Sequence, residues 1–135
     1  MAAAPMTATE WTETVESRII EGKHKRNRVK LVMAVTGAKT YPSSGGIPLP
    51  TTLGMTRNID YVIIIQNPMP TTVAAGGVNN YIWNYDVENH SIHGWQPAVT
   101  DAAVATGFTE LPTTWEPSSG FGTAAPVMYV EAVGW

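Results

Sequence analysis

The chain contains no cysteine, so no disulfide and no thiolate-bound metal can stabilise it, which suits a protein made in a reducing cytoplasm. Basic residues are missing from its entire second half. All 8 Lys and Arg lie between Arg18 and Arg57, 6 of them between Arg18 and Lys30. After Arg57 the only charged side chains are Asp60, Asp86, Glu88, Asp101, Glu110, Glu116 and Glu131. Residues 1–57 therefore carry a net +4 and residues 58–135 a net −7. An overall charge of −3 and a pI near 5.5 argue against a nucleic-acid partner, which calls for a basic surface. Charge is scarce altogether: 14% of residues, against about 25% in an ordinary soluble domain. Such a chain is expected to bury part of its surface against partners. No run approaches the roughly 18 apolar residues that a membrane helix needs. The opening MAAAPMTATEW has neither the basic nor the apolar region of a secretory signal.

What is abundant is punctuation. With 12 Gly and 10 Pro spread through 135 residues, the composition favours short strands between turns over long helices, in one domain with a real core. The stretch Tyr41–Gln66 shows the pattern best. YPSSGG makes a turn, Pro48 and Pro50 exclude the next residues from a central ladder, and NIDYVIIIQ is a strand apolar on both faces at its centre. That strand is expected in the middle of a sandwich or at a subunit contact.

Elsewhere, residues 1–10 read as an arm, either a free tail or a segment laid on a neighbouring subunit. WTETVESRII and KLVMAVT are strand candidates either side of the basic run GKHKRNR. Residues 71–78 are weakly patterned. Tyr81, Trp83 and Tyr85 alternate with Ile82, Asn84 and Asp86, and the chain returns from Ser91 to Trp95, which predicts a hairpin. Residues 96–107 fit either a helical turn or a strand. Residues 108–124 read as a Pro/Gly/Ser loop presenting Phe108, Trp115 and Phe121, and PVMYVEAVGW as a terminal strand locked into a sheet. The sum is six to eight short strands: an all-β, antiparallel β-sandwich or jelly-roll-like domain over residues 11–135, preceded by an N-terminal arm, residues 1–10.

Catalytic signatures are missing: no nucleophile elbow, P-loop, dinucleotide fingerprint or zinc-helix motif occurs. His90 and His93, near Asp86 and Glu88, contain metal-ligating side chains, but an odd spacing on a hairpin sends the two imidazoles to opposite faces. The expectation is therefore no enzyme, no cofactor and no metal. Trp83, Trp95 and Trp115 supply aromatic surface that either packs inside or stacks on a sugar.

One ordered set of residues is shared with a known group of proteins. Tyr41, Pro42, Gly45, Gly46, Pro48, Leu49, Leu53 and Gly54 are followed by a long apolar strand. Then come Tyr85, Asp86 and Asn89 at the end of an aromatic strand, and Val130, Glu131, Ala132, Val133 and Gly134 in the last one. Over roughly residues 29–135 this order resembles the small decoration, or cement, proteins of tailed-bacteriophage capsids. The loop 111–122 and the basic run 23–30 depart from the pattern. The resemblance implies a non-catalytic homotrimer on the outer capsid surface of the virion, made in the bacterial cytoplasm, whose partner is the major capsid protein and neither nucleic acid nor membrane. The candidate contact residues are Met6 and Trp11 in and beside the arm, Lys23, Lys25, Arg26 and Arg28 in the basic run, and Trp115 and Phe121 in the loop. A carbohydrate- or receptor-binding module of a phage particle is the alternative.

Overall fold

Strands account for most of the chain because β-branched and aromatic residues recur at alternate positions, between glycines and prolines that end each run. The structure, a computed structural model, describes residues 4–34, 39–70, 81–101, 104–118 and 125–135. Ten strands are seen there: β1 (Ala4–Pro5), β2 (Trp11–Glu21), β3 (His24–Met33), β4 (Lys39–Thr40), β5 (Ile47–Pro48), β6 (Ile59–Pro70), β7 (Ile82–Asp86), β8 (Ser91–Asp101), β9 (Val104–Glu110) and β10 (Pro126–Gly134). Eight of them build two antiparallel layers, and β1 and β4 form a short parallel pair. The first sheet has the order β2-β3-β10-β6. In the second, β8 pairs with β7 on one side, and with β5 and then β9 on the other. The fold is all-β, as expected. Among the described residues no helix is long and apolar enough to cross a membrane.

Alternation decides what goes inside. On β3, Asn27, Val29, Leu31 and Met33 are buried while His24, Arg26 and Arg28 are exposed. Their antiparallel neighbours on β10, Ala132, Val130 and Met128, are buried too. From the second sheet Trp83, Ile92 and Ile47 meet this layer, so both sheets share one apolar cluster. Burying side chains such as Leu31, Met128 or Ile92 contributes about 1.5–3 kcal/mol each.

The crossing from Tyr41 to Met55 fastens the layers together. Tyr41, Ile47, Leu49, Leu53 and Met55 all enter the cluster. Buried Asn27 holds the far end of the crossing: its amide donates to Leu53 O (3.0 Å) and its carbonyl accepts from Arg18 Nε (3.0 Å), while Arg18 Nη2 reaches Gly54 O (2.9 Å). Gly46 holds the near end at φ 75°, where a Cβ would sit 2.5 Å from Ile92 O.

The fold departs from expectation in three places. β6 lies at an edge of its sheet, not in the middle, because β10 takes the place between β3 and β6. Within residues 61–65 Val62 is buried and Ile64 partly so, leaving Tyr61, Ile63 and Ile65 facing outward at 40%, 50% and 51% exposure. The described part of the arm docks on its own chain. β1 pairs in parallel with β4, Met6 is buried, and Thr7 caps a 3-10 turn, Ala8–Glu10, through a reciprocal bond with Glu10. Residues 96–101 and 104–110, read as ambiguous and then as loop, form the outer part of β8 and all of β9, which brings Phe108 onto a strand. The expected hairpin is present, with Ile82↔Trp95 and Asn84↔His93 in register. Residues 71–78 lie outside the described residues.

Candidate functional site

The expected contact residues divide by burial. Met6, Trp11 and Trp115 are 2%, 6% and 5% exposed, so they hold this chain's own core together and offer no surface to a partner. Trp11 Nε1 donates to Pro48 O at 3.0 Å, closing β2 onto the crossing segment. Trp115 sits on a connection, yet the turn from Pro112 and a bond from Tyr41 N to Trp115 O fold it back onto the core. There it meets Tyr41, Tyr81 and Trp83 edge-on, with ring centroids 6.4, 5.9 and 6.0 Å away, and donates from Nε1 to Tyr81 Oη. The expectation that Met6, Trp11 and Trp115 make contacts with another subunit is corrected accordingly. Phe121 lies outside the described residues.

The basic run does reach the surface. Lys23 lies in the β2–β3 turn with its Nζ 5.8 Å from the Trp135 ring centre, and His24 packs edge-on against the same indole. Arg26 pairs with Glu131 at 3.2 Å, and the Arg28 guanidinium lies 5.3 Å from the ring centre of Tyr129. Arg26 and Arg28 share the outer face of the first sheet, whereas Lys25, by parity, belongs to the other face. Beside them at the hairpin end, Ile19 and Ile20 are 54% and 62% exposed and project from opposite faces of β2. This end of the hairpin runs past the residues that cover its inner side, so isoleucine and cationic groups stand together in water.

A second cluster, on the outer face of the second sheet, joins residues that are far apart in sequence. His93 Nε2 lies 2.9 Å from Asp86 Oδ2 and His93 Nδ1 lies 2.6 Å from Glu110 Oε1. Tyr41 Oη donates to that same Glu110 oxygen (2.6 Å) and accepts from Gly94 N (3.1 Å). Neutral imidazole has only one N–H to donate. Two carboxylates on its two nitrogens therefore select the imidazolium. Burial pushes the His93 pKa down, but the hydrogen bonds and charges of Glu110 and Asp86 outweigh it and raise it. Asp86 is held down to about 2, first by the Asn89 side chain, then by His93 and backbone N–H groups. Burial would raise Glu110, yet the bonds from Tyr41 and His93 leave it lowered. Tyr41 is raised well above its ordinary range by burial and by Glu110.

Chemically this cluster is a strap. Both ring nitrogens are engaged, so His93 has no lone pair to give a metal or a substrate proton. The carboxylates lie at opposite ends of the ring and do not converge on one ion. Among the described residues no group of three or more His, Asp or Glu is arranged to hold a metal. His90 points elsewhere, with Nε2 donating to Pro50 O at 2.7 Å and Nδ1 at 2.8 Å from Tyr85 Oη. The two histidines do part company across the hairpin, but protein groups, not water alone, engage both. Asp86 and His93 were visible as neighbours in the sequence; Glu110 and Tyr41 join them only through the β8–β9 pairing and the crossing segment.

Next to the strap, Ile82, Asn84, Trp95 and Phe108 line an open groove of about 260 Å³, with His93 stacked on Trp95 at 6.4 Å. No protein-family model matches the chain, and neither a curated protein nor a solved structure matches it significantly.

Proposed function

We propose that this chain is a structural virion protein, a capsid decoration protein of a tailed phage that clamps neighbouring major capsid proteins from outside. The observation that carries the reading is the end of the β2–β3 hairpin. There Ile19 and Ile20 are more than half exposed on opposite faces, beside Lys23, Lys25 and Arg26. An isolated exposed leucine or isoleucine is ordinary, but two at one hairpin end with cations around them suit an apolar, acidic recess on a partner. The resemblance in residues 29–135 supplies the kind of partner, and low charge suits a protein whose role is contact area. Several weak clamps on one shell add up through multivalency.

The test is to mix the purified protein with expanded heads that lack it. Binding, and heads that survive hotter, are expected from the native chain; Ile20→Asp combined with Lys23→Glu should remove both. Native protein that neither binds nor protects the heads would sink the proposal.

The groove beside Trp95 favours a second reading, a carbohydrate- or receptor-binding module. With Trp83 and Trp115 in the core, Trp95 is the remaining platform of the three. Glycan-array binding by the native chain that disappears in Trp95→Ala would support this reading over the first.

A further inference from the structure

One edge of the second sheet is lightly held. β9 pairs with β8 alone, and its ladder is broken: Pro97 has no N–H to give Phe108, and register shifts follow between Pro97 and Val99 and between Val99 and Asp101. Phe108 and Thr109 are exposed, and Glu110 is the described residue of β9 whose side chain bonds to other parts of the chain. Just past the strand, Leu111 is buried and its N–H donates to Gly94 O at 2.9 Å. Between that anchor and the broken ladder, the Glu110 carboxylate fastens β9 to the middle of the sheet.

The fastening runs through His93, whose two sides are unequal. Asp86, at the end of β7, has three donors besides His93: the N–H groups of Glu88 and Asn89 and the Asn89 amide, at 3.0, 3.1 and 2.7 Å. Glu110 has one, the Tyr41 hydroxyl. Around the ring, Trp95 stacks on it from its own strand, neutral Asn84 stands opposite on β7, and the crossing segment brings up Tyr41 and the backbone of Gly46. Glu88 is exposed in the adjoining turn. Among the described residues no Lys or Arg makes an ion pair with Asp86 or Glu110, so the imidazolium is the cation that joins them.

Loss of one proton from this ring cannot be absorbed in place. Neutral imidazole has a single N–H, so one nitrogen then turns a lone pair toward a carboxylate oxygen only 2.6 or 2.9 Å away. Two acceptors at that distance repel, and the two carboxylates face each other across an uncharged ring. Asp86 is fixed by its turn, whereas Glu110 sits on the lightly held edge. We infer that His93 is a pH-operated clasp on β9: the imidazolium holds Glu110 and keeps the strand against β8, and loss of its proton releases Glu110 and lets β9 lift. Phe108 moves with the strand, so the groove lined by Ile82, Trp95 and Phe108 is complete on the acid side and loses a wall on the alkaline side. Because the His93 pKa is raised, release falls above the ordinary histidine value of about 6.5. The clasp belongs to the fold whether or not a ligand uses the groove, so it stands or falls apart from both functional readings.

The absence of cysteine makes the test direct, since Thr109→Cys gives one attachment point for a nitroxide spin label. Thr109 is exposed and, by parity, lies on the face away from Phe108 and Glu110. A separate chain labelled at Thr14→Cys, exposed on β2, reports on the first sheet. Electron paramagnetic resonance spectra are recorded from about pH 5.5 to about pH 9, beside an NMR titration of the His93 ring. The Thr109 label should be ordered on the acid side and tumble several-fold faster on the alkaline side, with the midpoint of His93, while the Thr14 label stays unchanged. Glu110→Gln removes the switch and keeps the fastening, because an amide can accept from imidazolium or donate to imidazole. In that background the Thr109 label should stay ordered throughout. Should that variant misfold, the labelled chain with Glu110 intact still decides the matter through the two midpoints. A Thr109 label unchanged across the His93 titration would overturn the inference. So would a midpoint unlike that of His93, loosening of both labels together, or a folded Glu110→Gln chain that loosens as the native one does.

Discussion

At the residue scale, the best-defined chemistry is the imidazolium of His93 between Asp86 and Glu110. Its proton is held above the ordinary histidine value of about 6.5, so the stability it contributes is complete below that pH and is lost as pH rises through the raised pKa. Asp86 and Glu110 are lowered, so their contributions are complete above the ordinary carboxylate range near 4 and fade as pH falls through their folded values. The strap should be strongest between about pH 4.5 and 6.5. Thermal unfolding measured across that range should show a maximum, which Glu110→Gln flattens, and an NMR titration should find the His93 pKa lower in Glu110→Gln than in the native chain. An unchanged His93 titration in that variant would break the assignment. Parity in the sequence separated His90 from His93, but no spacing announced Glu110 or Tyr41, because pairing partners across β8 and β9 are a tertiary fact. Glycine tells a similar story at Gly46. The turn was legible in YPSSGG, whereas the close approach to Ile92 O was not. Gly46→Val should lower the melting temperature sharply through the clash and the positive φ, while exposed Ser43→Ala should leave it nearly unchanged.

At the scale of the element, alternation exposed the strands but not their neighbours. NIDYVIIIQ is apolar on both faces, a pattern that suits a buried central strand and an edge strand with one exposed apolar face equally well. The structure takes the second course because the last strand, β10, occupies the centre. Likewise Trp115 follows Pro112 in a segment without periodicity, so its sequence reads as an exposed loop. The turn that starts at Pro112 and the bond from Tyr41 N return it to the core. A large-to-small change tests this directly. Trp115→Ala should cost about 3–5 kcal/mol in denaturant unfolding, the usual cost of removing a large buried aromatic. A loss below about 1 kcal/mol, as at an exposed site, would contradict its place under Tyr81 and Trp83.

For the whole molecule, the separation of charge along the chain was plain in the sequence, and its meaning in space was not. The second sheet holds acids on β7, β8 and β9 and no Lys or Arg, whereas the first sheet is balanced: five cations on β2 and β3 stand with Glu13, Glu16, Glu21, Asp60 and Glu131. The low charge content likewise suggested buried surface without saying where. The hairpin end, the ridge on β6 and the groove beside Trp95 are three separate places where apolar side chains stand exposed.

The central position of β10 also sets a clock. Neither β3 nor β6 bonds to the other; each bonds to β10, whose residues 126–134 are synthesised after both. Pairing over such separations is slow compared with local hairpin closure. Until it happens, Arg28 and Ile63 are on unconnected segments and the ridge face does not exist. A nascent chain that has not yet made β10 therefore cannot offer that face.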